Sequence, residues 1–107
     1  MEITQIGILE VNLQNKSESI SIKSDEKIEK IVKALSSRTR RQILHHIQEE
    51  PMDVSHIAAS LQMTEANISA QIKKLEEAGL INCSYSSGNH GVRKISSLKF
   101  NKLIIEF

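Results

Sequence analysis

Residues 54–80, VSHIAASLQMTEANISAQIKKLEEAGL, leave this chain the fewest options. Val54, Ile57, Ala58 and Leu61 fall at 0, +3, +4 and +7, one stripe of a short helix. Gln62 and Met63 form a tight connection. Thr64 can cap a second helix, because its hydroxyl accepts a free backbone N–H. Ile68, Ile72 and Leu75 share one face of that helix, and Gly79 suits the left-handed position that stops it. The spacing therefore predicts two amphipathic helices joined by a turn.

The opposite face of the second helix carries the functional expectation. At about 100° per residue, Ala66, Ala70, Lys73, Lys74 and Glu77 point away from the apolar stripe, with Asn67, Ser69 and Gln71 on the flanks. Small residues let a helix sit deep in a groove. Asn and Gln pair with base edges, and Lys with guanine or phosphate. A helix-turn-helix presents its second helix to the major groove in this way. An ordinary helical hairpin with a solvated outer face is the plainer reading of the same pattern.

Around this centre the chain divides clearly. Leu9, Val11 and Leu13 alternate with polar residues, as do Ile20 and Ile22, so residues 1–23 read as an N-terminal β-hairpin turning at 14–18. A lone hairpin is barely stable and must lean on the rest of the domain or a second subunit. Ser24 or Asp25 caps a helix with Ile28, Ile31, Val32 and Leu35 as its buried stripe. Ser36 and Ser37 break it. A second helix then runs to about Glu50, burying Ile43, Leu44 and Ile47, and Pro51 ends it. After Gly79, residues 84–97 hold two polar strands around Ser87-Gly88-Asn89-His90-Gly91, where glycines supply the backbone freedom of a tight hairpin. Residues 98–107, with Leu103, Ile104, Ile105 and Phe107, read as a C-terminal strand able to pair with the N-terminal hairpin. That apolar finish points to a dimer contact or to a domain of a longer protein. The expected class is α+β: a single winged helix-turn-helix domain over 1–107, with about four helices and a hairpin wing in the core at 24–97, an N-terminal β-hairpin and a C-terminal strand.

Two stretches resemble a known family. ALSSRTRRQIL at 34–44 and IAASLQMTEANISAQIKKLEEAGLI at 57–81 are similar to the ArsR-type winged-helix transcriptional regulators. Ala34-Leu35, Arg40, Ile43-Leu44, Leu61, Thr64, Ser69, Gln71, Ile72, Leu75 and Ala78-Gly79-Leu80 carry the likeness, which spans roughly 28–97. The resemblance implies a homodimeric repressor of palindromic double-stranded DNA sites. The helix from Thr64 would lie in the major groove and the 84–97 wing on the backbone or minor groove. It also implies that Thr64, Asn67, Ser69, Ala70 and Gln71 face DNA. Two features depart from the family pattern. There is no Cys-x-Cys motif, since Cys83 stands alone, and residues 98–107 read as strand where a dimerising helix is usual.

Charge adds detail. The formal net charge is +1, so only local clustering bears on nucleic acid. Arg38, Arg40 and Arg41 crowd the start of a helix, where the dipole disfavours cations, so phosphate contact or ion pairing must account for them. Arg40 continues the Ile43–Leu44 stripe and is expected to be structural; Arg38 and Arg41 turn outward. From Leu80 to Ile105 stand Arg93, Lys94, Lys99 and Lys102 and no acid. Arg93 and Lys94 alternate, so one of them meets phosphate, unless they only guard a wing edge. His90, at the wing tip, is a further DNA candidate.

Other chemistry is weakly represented. His45 and His46 diverge by about 100° on a helix, and no His-x3-His or Cys-x2-Cys pair occurs, so no metal or cofactor is expected. Cys83 reads as a small apolar packing residue, and a single thiol suits a reducing, cytoplasmic setting. No apolar run of about 20 residues marks a membrane span. No glycine-rich phosphate loop, nucleophile elbow or paired-carboxylate motif argues for an enzyme. The candidate DNA contacts are therefore Thr64, Ala66, Asn67, Ser69, Ala70, Gln71, Lys73, Lys74, Arg38, Arg41, Arg93, Lys94 and His90. A winged helix used for protein contact, or the DNA-binding part of a larger regulator, remains the alternative.

Overall fold

Apolar spacing and caps together set the helices. In the computed structural model, which describes residues 6–88 and 91–107 with side-chain surroundings from Leu9 onward, four helices stand between two small sheets. Strands β1 (Ile6–Gln14) and β2 (Ser19–Ser24) form the N-terminal hairpin. Helices α1 (Asp25–Leu35) and α2 (Arg38–Ile47) follow, capped by the hydroxyls of Ser24 and Ser37. Strand β3 (Met52–Asp53) leads directly into α3 (Val54–Leu61), and α4 (Glu65–Glu77) completes the helix-turn-helix. Strands β4 (Ile81–Gly88), β5 (Gly91–Leu98) and β6 (Lys102–Glu106) close the chain.

The first sheet has the order β2-β1-β6 and the second β3-β5-β4, antiparallel throughout. The C-terminal strand thus pairs with the N-terminal hairpin, as the alternation suggested. Leu13 stands opposite Ile20 on one side and Leu103 on the other. This apolar face rests on α1, and Val11 and Leu13 join the same buried cluster as Ile31, Ile43, Ile57, Ile68, Ile72 and Leu75. With few aromatics in the chain, branched aliphatic residues fill this core.

Both ends of the helix-turn-helix close with the same hydrogen-bond pattern. At the end of α4, Gly79 N–H donates to the Glu76 carbonyl and Leu80 N–H to that of Leu75, with Gly79 at φ +77°. At the end of α3, Gln62 N–H donates to Ala59 and Met63 N–H to Ala58, with Gln62 itself left-handed at φ +56°. A non-glycine residue there costs about 1 kcal/mol, which the turn accepts to redirect the chain within three residues.

Three details differ from the sequence reading. Val32 is 46% exposed and Ala34 is buried instead, because the buried stripe of α1 is centred on Ile31 and the sheet covers only that side. Helix α2 ends at Ile47 rather than near Glu50. The chain must already be extended by Met52 to pair with Ser96, so tertiary pairing stops the helix before Pro51 does. Finally, β3 is too short to show a period and was not legible.

Ile72 is fully buried under α4. Ile72→Ala is expected to lower unfolding stability by about 2–5 kcal/mol, read from the urea midpoint at unchanged slope. A loss well below about 1 kcal/mol would mean that α4 is not seated as described.

Candidate nucleic-acid interface

The buried stripe of α4 fixes what the helix shows to solvent. With Ile68, Ile72 and Leu75 at 0% exposure, the outward residues follow from geometry: Ala66, Asn67, Ser69, Ala70, Lys73 and Lys74 are all exposed. Thr64, also exposed, caps the helix by accepting the Asn67 N–H at 3.1 Å. Among the described residues Lys73 and Lys74 engage no acid. Two of the nearby glutamates are occupied internally. Glu65 accepts from the Ser55 hydroxyl at 2.7 Å, which ties α4 to α3, and Glu76 accepts from Lys94 Nζ at 3.2 Å.

Gln71 is half-buried, and both ends of its amide take part in internal hydrogen bonds. Its Oε1 accepts from Arg40 Nη1 at 2.7 Å, and its Nε2 donates to Asn67 Oδ1 at 3.1 Å. Arg40 is structural, as its place on the α2 stripe implied. Its Nε donates to the Ala34 carbonyl at 2.7 Å and its Nη2 to that of Lys33 at 3.0 Å. One guanidinium thereby satisfies the carbonyl end of α1 and, through Gln71, sets the rotamer of Asn67 on the outer face of α4. Arg41 donates to the Leu35 carbonyl at 2.7 Å, extending the same cap. That is a local reason for a cation in the first turn of α2. Arg38 is exposed beside Arg41.

The wing is anchored through a residue the sequence reading did not single out. Asp53 is 7% exposed. Its Oδ1 accepts the His56 N–H at 2.8 Å, capping α3, and also contacts His56 Nδ1 at 2.8 Å. Its Oδ2 accepts from Arg93 Nε at 2.8 Å. Arg93, expected on phosphate, is thus committed to Asp53, although its side chain remains 53% exposed. Lys94 is half-buried on the other face of β5 and paired with Glu76. The backbone N–H of His56 is the chief cause of a carboxyl held down to about 2, helped by the side chains of His56 and Arg93 against the opposing effect of burial. An Asp directly before an apolar helical run is a recognisable cap signature, and it could have marked Asp53. Its pairing with Arg93, forty positions away, has no sequence signature.

These elements enclose a cleft of about 620 Å3 between the first half of α4 and the wing, lined among others by Ala66, Ser69, Val92, Arg93 and Lys94. Tyr85 and Val92 stand exposed on the wing. His90 lies outside the described residues. Cys83 packs half-buried with its Sγ 3.6 Å from Ser96 Oγ, and burial pushes its thiol up. Among the described residues no cluster of His, Cys, Asp or Glu is arranged for a metal, and no helix is long and apolar enough to cross a membrane.

A helix-turn-helix whose exposed second helix stands beside an antiparallel hairpin defines the winged helix-turn-helix class. Residues 37–82 match the family described as bacterial regulatory protein, arsR family. Over that stretch the chain is similar to the ArsR type. No curated protein sequence matches the chain significantly. Solved structures share the fold. HlyU from Vibrio cholerae is 20% identical, over 68% of this chain and 75% of that one, with a TM-score of 0.60. NolR from Sinorhizobium fredii is 18% identical, over 71% and 72% of the two chains, with a TM-score of 0.62. A Mycobacterium bovis protein is described as a homodimeric winged helix-turn-helix DNA-binding domain of a possible ArsR-family regulator. It is 25% identical, over 68% of this chain and 64% of that one, with a TM-score of 0.61.

The depressed carboxyl makes a pH prediction. A folded-state pKa of about 2 against an ordinary 3.8 means that the stabilisation is present above about pH 4 and lost as pH falls toward 2. Asp53→Asn is expected to lower stability at pH 7 and to flatten the acid limb of the stability profile in that window. Parallel acid limbs in the two proteins would contradict the role given to Asp53.

Proposed function

We propose that the protein regulates transcription by binding double-stranded DNA as a homodimer, most simply as a repressor. Helix α4 enters the major groove, and the β4–β5 wing follows the backbone or minor groove. The observation that carries this reading is the exposed face of α4. It combines the small residues Ala66 and Ala70, the polar Asn67 and Ser69, and two lysines that engage no acid among the described residues. The neighbouring Glu65 and Glu76 are drawn into internal bonds. In this reading Asn67 and Ser69 reach base edges, with Asn67 held in place by Gln71 and Arg40. Thr64, Lys73, Lys74 and Arg38 position the phosphate backbone, while Arg41 and Arg93 do so only through the part of each side chain left outside their internal bonds. Lys94 serves the wing as a strut to Glu76.

The family match supports the regulator class, and the dimeric Mycobacterium bovis domain supports the stoichiometry. The similarity to transcriptional regulators supports action by binding rather than by catalysis. A DNA partner and a lone cysteine support a cytoplasmic setting.

Fluorescence anisotropy of a labelled random-sequence duplex tests the reading. Affinity is expected to fall steeply as salt rises from about 50 to 200 mM. Lys73→Ala with Lys74→Ala should weaken binding and reduce the salt slope by about 2 if each lysine meets one phosphate. Folded protein with no affinity at the lower salt would overturn the proposal.

A further inference from the structure

We propose that β6 is a self-pairing edge, through which two copies join antiparallel to make one six-stranded sheet β2-β1-β6-β6-β1-β2. The inference rests on the homodimer reading above and names its interface. Among the described residues β6 pairs with β1 on one side only, so its other edge presents unpaired backbone groups. An apolar edge strand of this kind recruits a further strand.

The sequence of β6, Lys102-Leu103-Ile104-Ile105-Glu106, is complementary to itself about Ile104. An isologous antiparallel pair centred there sets Lys102 opposite Glu106 of the second copy, and Glu106 opposite its Lys102. Leu103 then faces Ile105 of the second copy, and the reverse. Both ion pairs fall on the same face as Ile104, while Leu103 and Ile105 continue the face of Leu13 and Val11, their neighbours on β1. The other edge has no such complement. Strand β2, Ser19–Ser24, carries one charge, Lys23, and no acid, so its self-pairing forms no ion pair.

Three further observations fit the same register. The apolar face is unfinished at β6: Ile105 is 38% exposed, against 0% for Val11 beside it. A trough of about 230 Å3 opens along β6, lined by Leu35, Leu44, Leu98, Phe100, Asn101 and Leu103. Phe107 is entirely exposed. Continuing the register one residue past the Lys102–Glu106 pair places Phe107 of the second copy opposite Asn101, on the apolar face at the rim of that trough.

Charge exchange tests this without disturbing the fold, since Lys102 and Glu106 are both exposed. Sedimentation equilibrium of the wild type, Lys102→Glu, Glu106→Lys and the double exchange would report the dimer dissociation constant, with circular dichroism as the folding control. Each single exchange turns two opposite-charge pairs into two like-charge pairs and is expected to raise the constant about tenfold, equivalent to about 1.4 kcal/mol. The double exchange restores opposite charges and should recover most of the wild-type affinity. Dimers of wild-type strength in both single variants would overturn the β6 interface and leave the homodimer reading intact. A wild type that stays monomeric throughout the concentration range would overturn the homodimer reading and this interface with it.

Discussion

Everything outward in this protein depends on the burial of Ile68, Ile72 and Leu75. Spaced at four and three residues, they hold α4 against the aliphatic core at one rotation about its axis. Once that rotation is set, Ala66, Asn67, Ser69, Ala70, Lys73 and Lys74 have no direction left but solvent. Rotating the helix to bury any of the lysines would expose an isoleucine and bury an unpaired charge, and both changes are unfavourable. The chemistry of the surface is therefore a consequence of the packing below it.

Polar links then convert a seated helix into an organised surface. Arg40 reaches from α2 to the last carbonyls of α1 and to Gln71 on α4, so three helices share one guanidinium. Asp53 plays the matching part for the wing, capping α3 with one oxygen and holding Arg93 of β5 with the other. Lys94 and Glu76 brace the opposite face of β5 against the end of α4. The wing thus meets the helix-turn-helix through charged contacts on both faces of one strand. These side chains look like DNA contacts in sequence because they are cationic and near the surface, yet much of their bonding capacity is spent on fixing the cleft between α4 and the wing.

What could be read from the sequence was what repeats locally. Helical stripes, the caps at Ser24 and Thr64, the stop at Gly79 and the alternation in β1, β2 and β6 each have a period or a fixed offset. The pairing of β6 with β1 was legible because a lone hairpin needs apolar cover and residues 103–105 supplied it. What escaped were one short element and the pairings across distance. A strand of two residues has no alternation, so β3 was invisible, and with it the early end of α2. Val32 counted as buried because it stands four residues from Ile28, but which flank of the stripe is covered depends on where the sheet lies. The internal partners of Gln71 and Arg93, which are Arg40 and Asp53, lie far away in sequence, so these bonds were not legible.

The central claim is that the outer face of α4 and the adjoining wing form the DNA-binding surface. A titration of 15N-labelled protein with a short duplex, followed by amide chemical shifts, tests it most directly. The account predicts shifts concentrated in Thr64–Lys74 and in the wing strands, with β1, β2 and β6 unmoved. Shifts confined to the β2-β1-β6 sheet would contradict it, as would a spectrum unchanged by DNA at low salt.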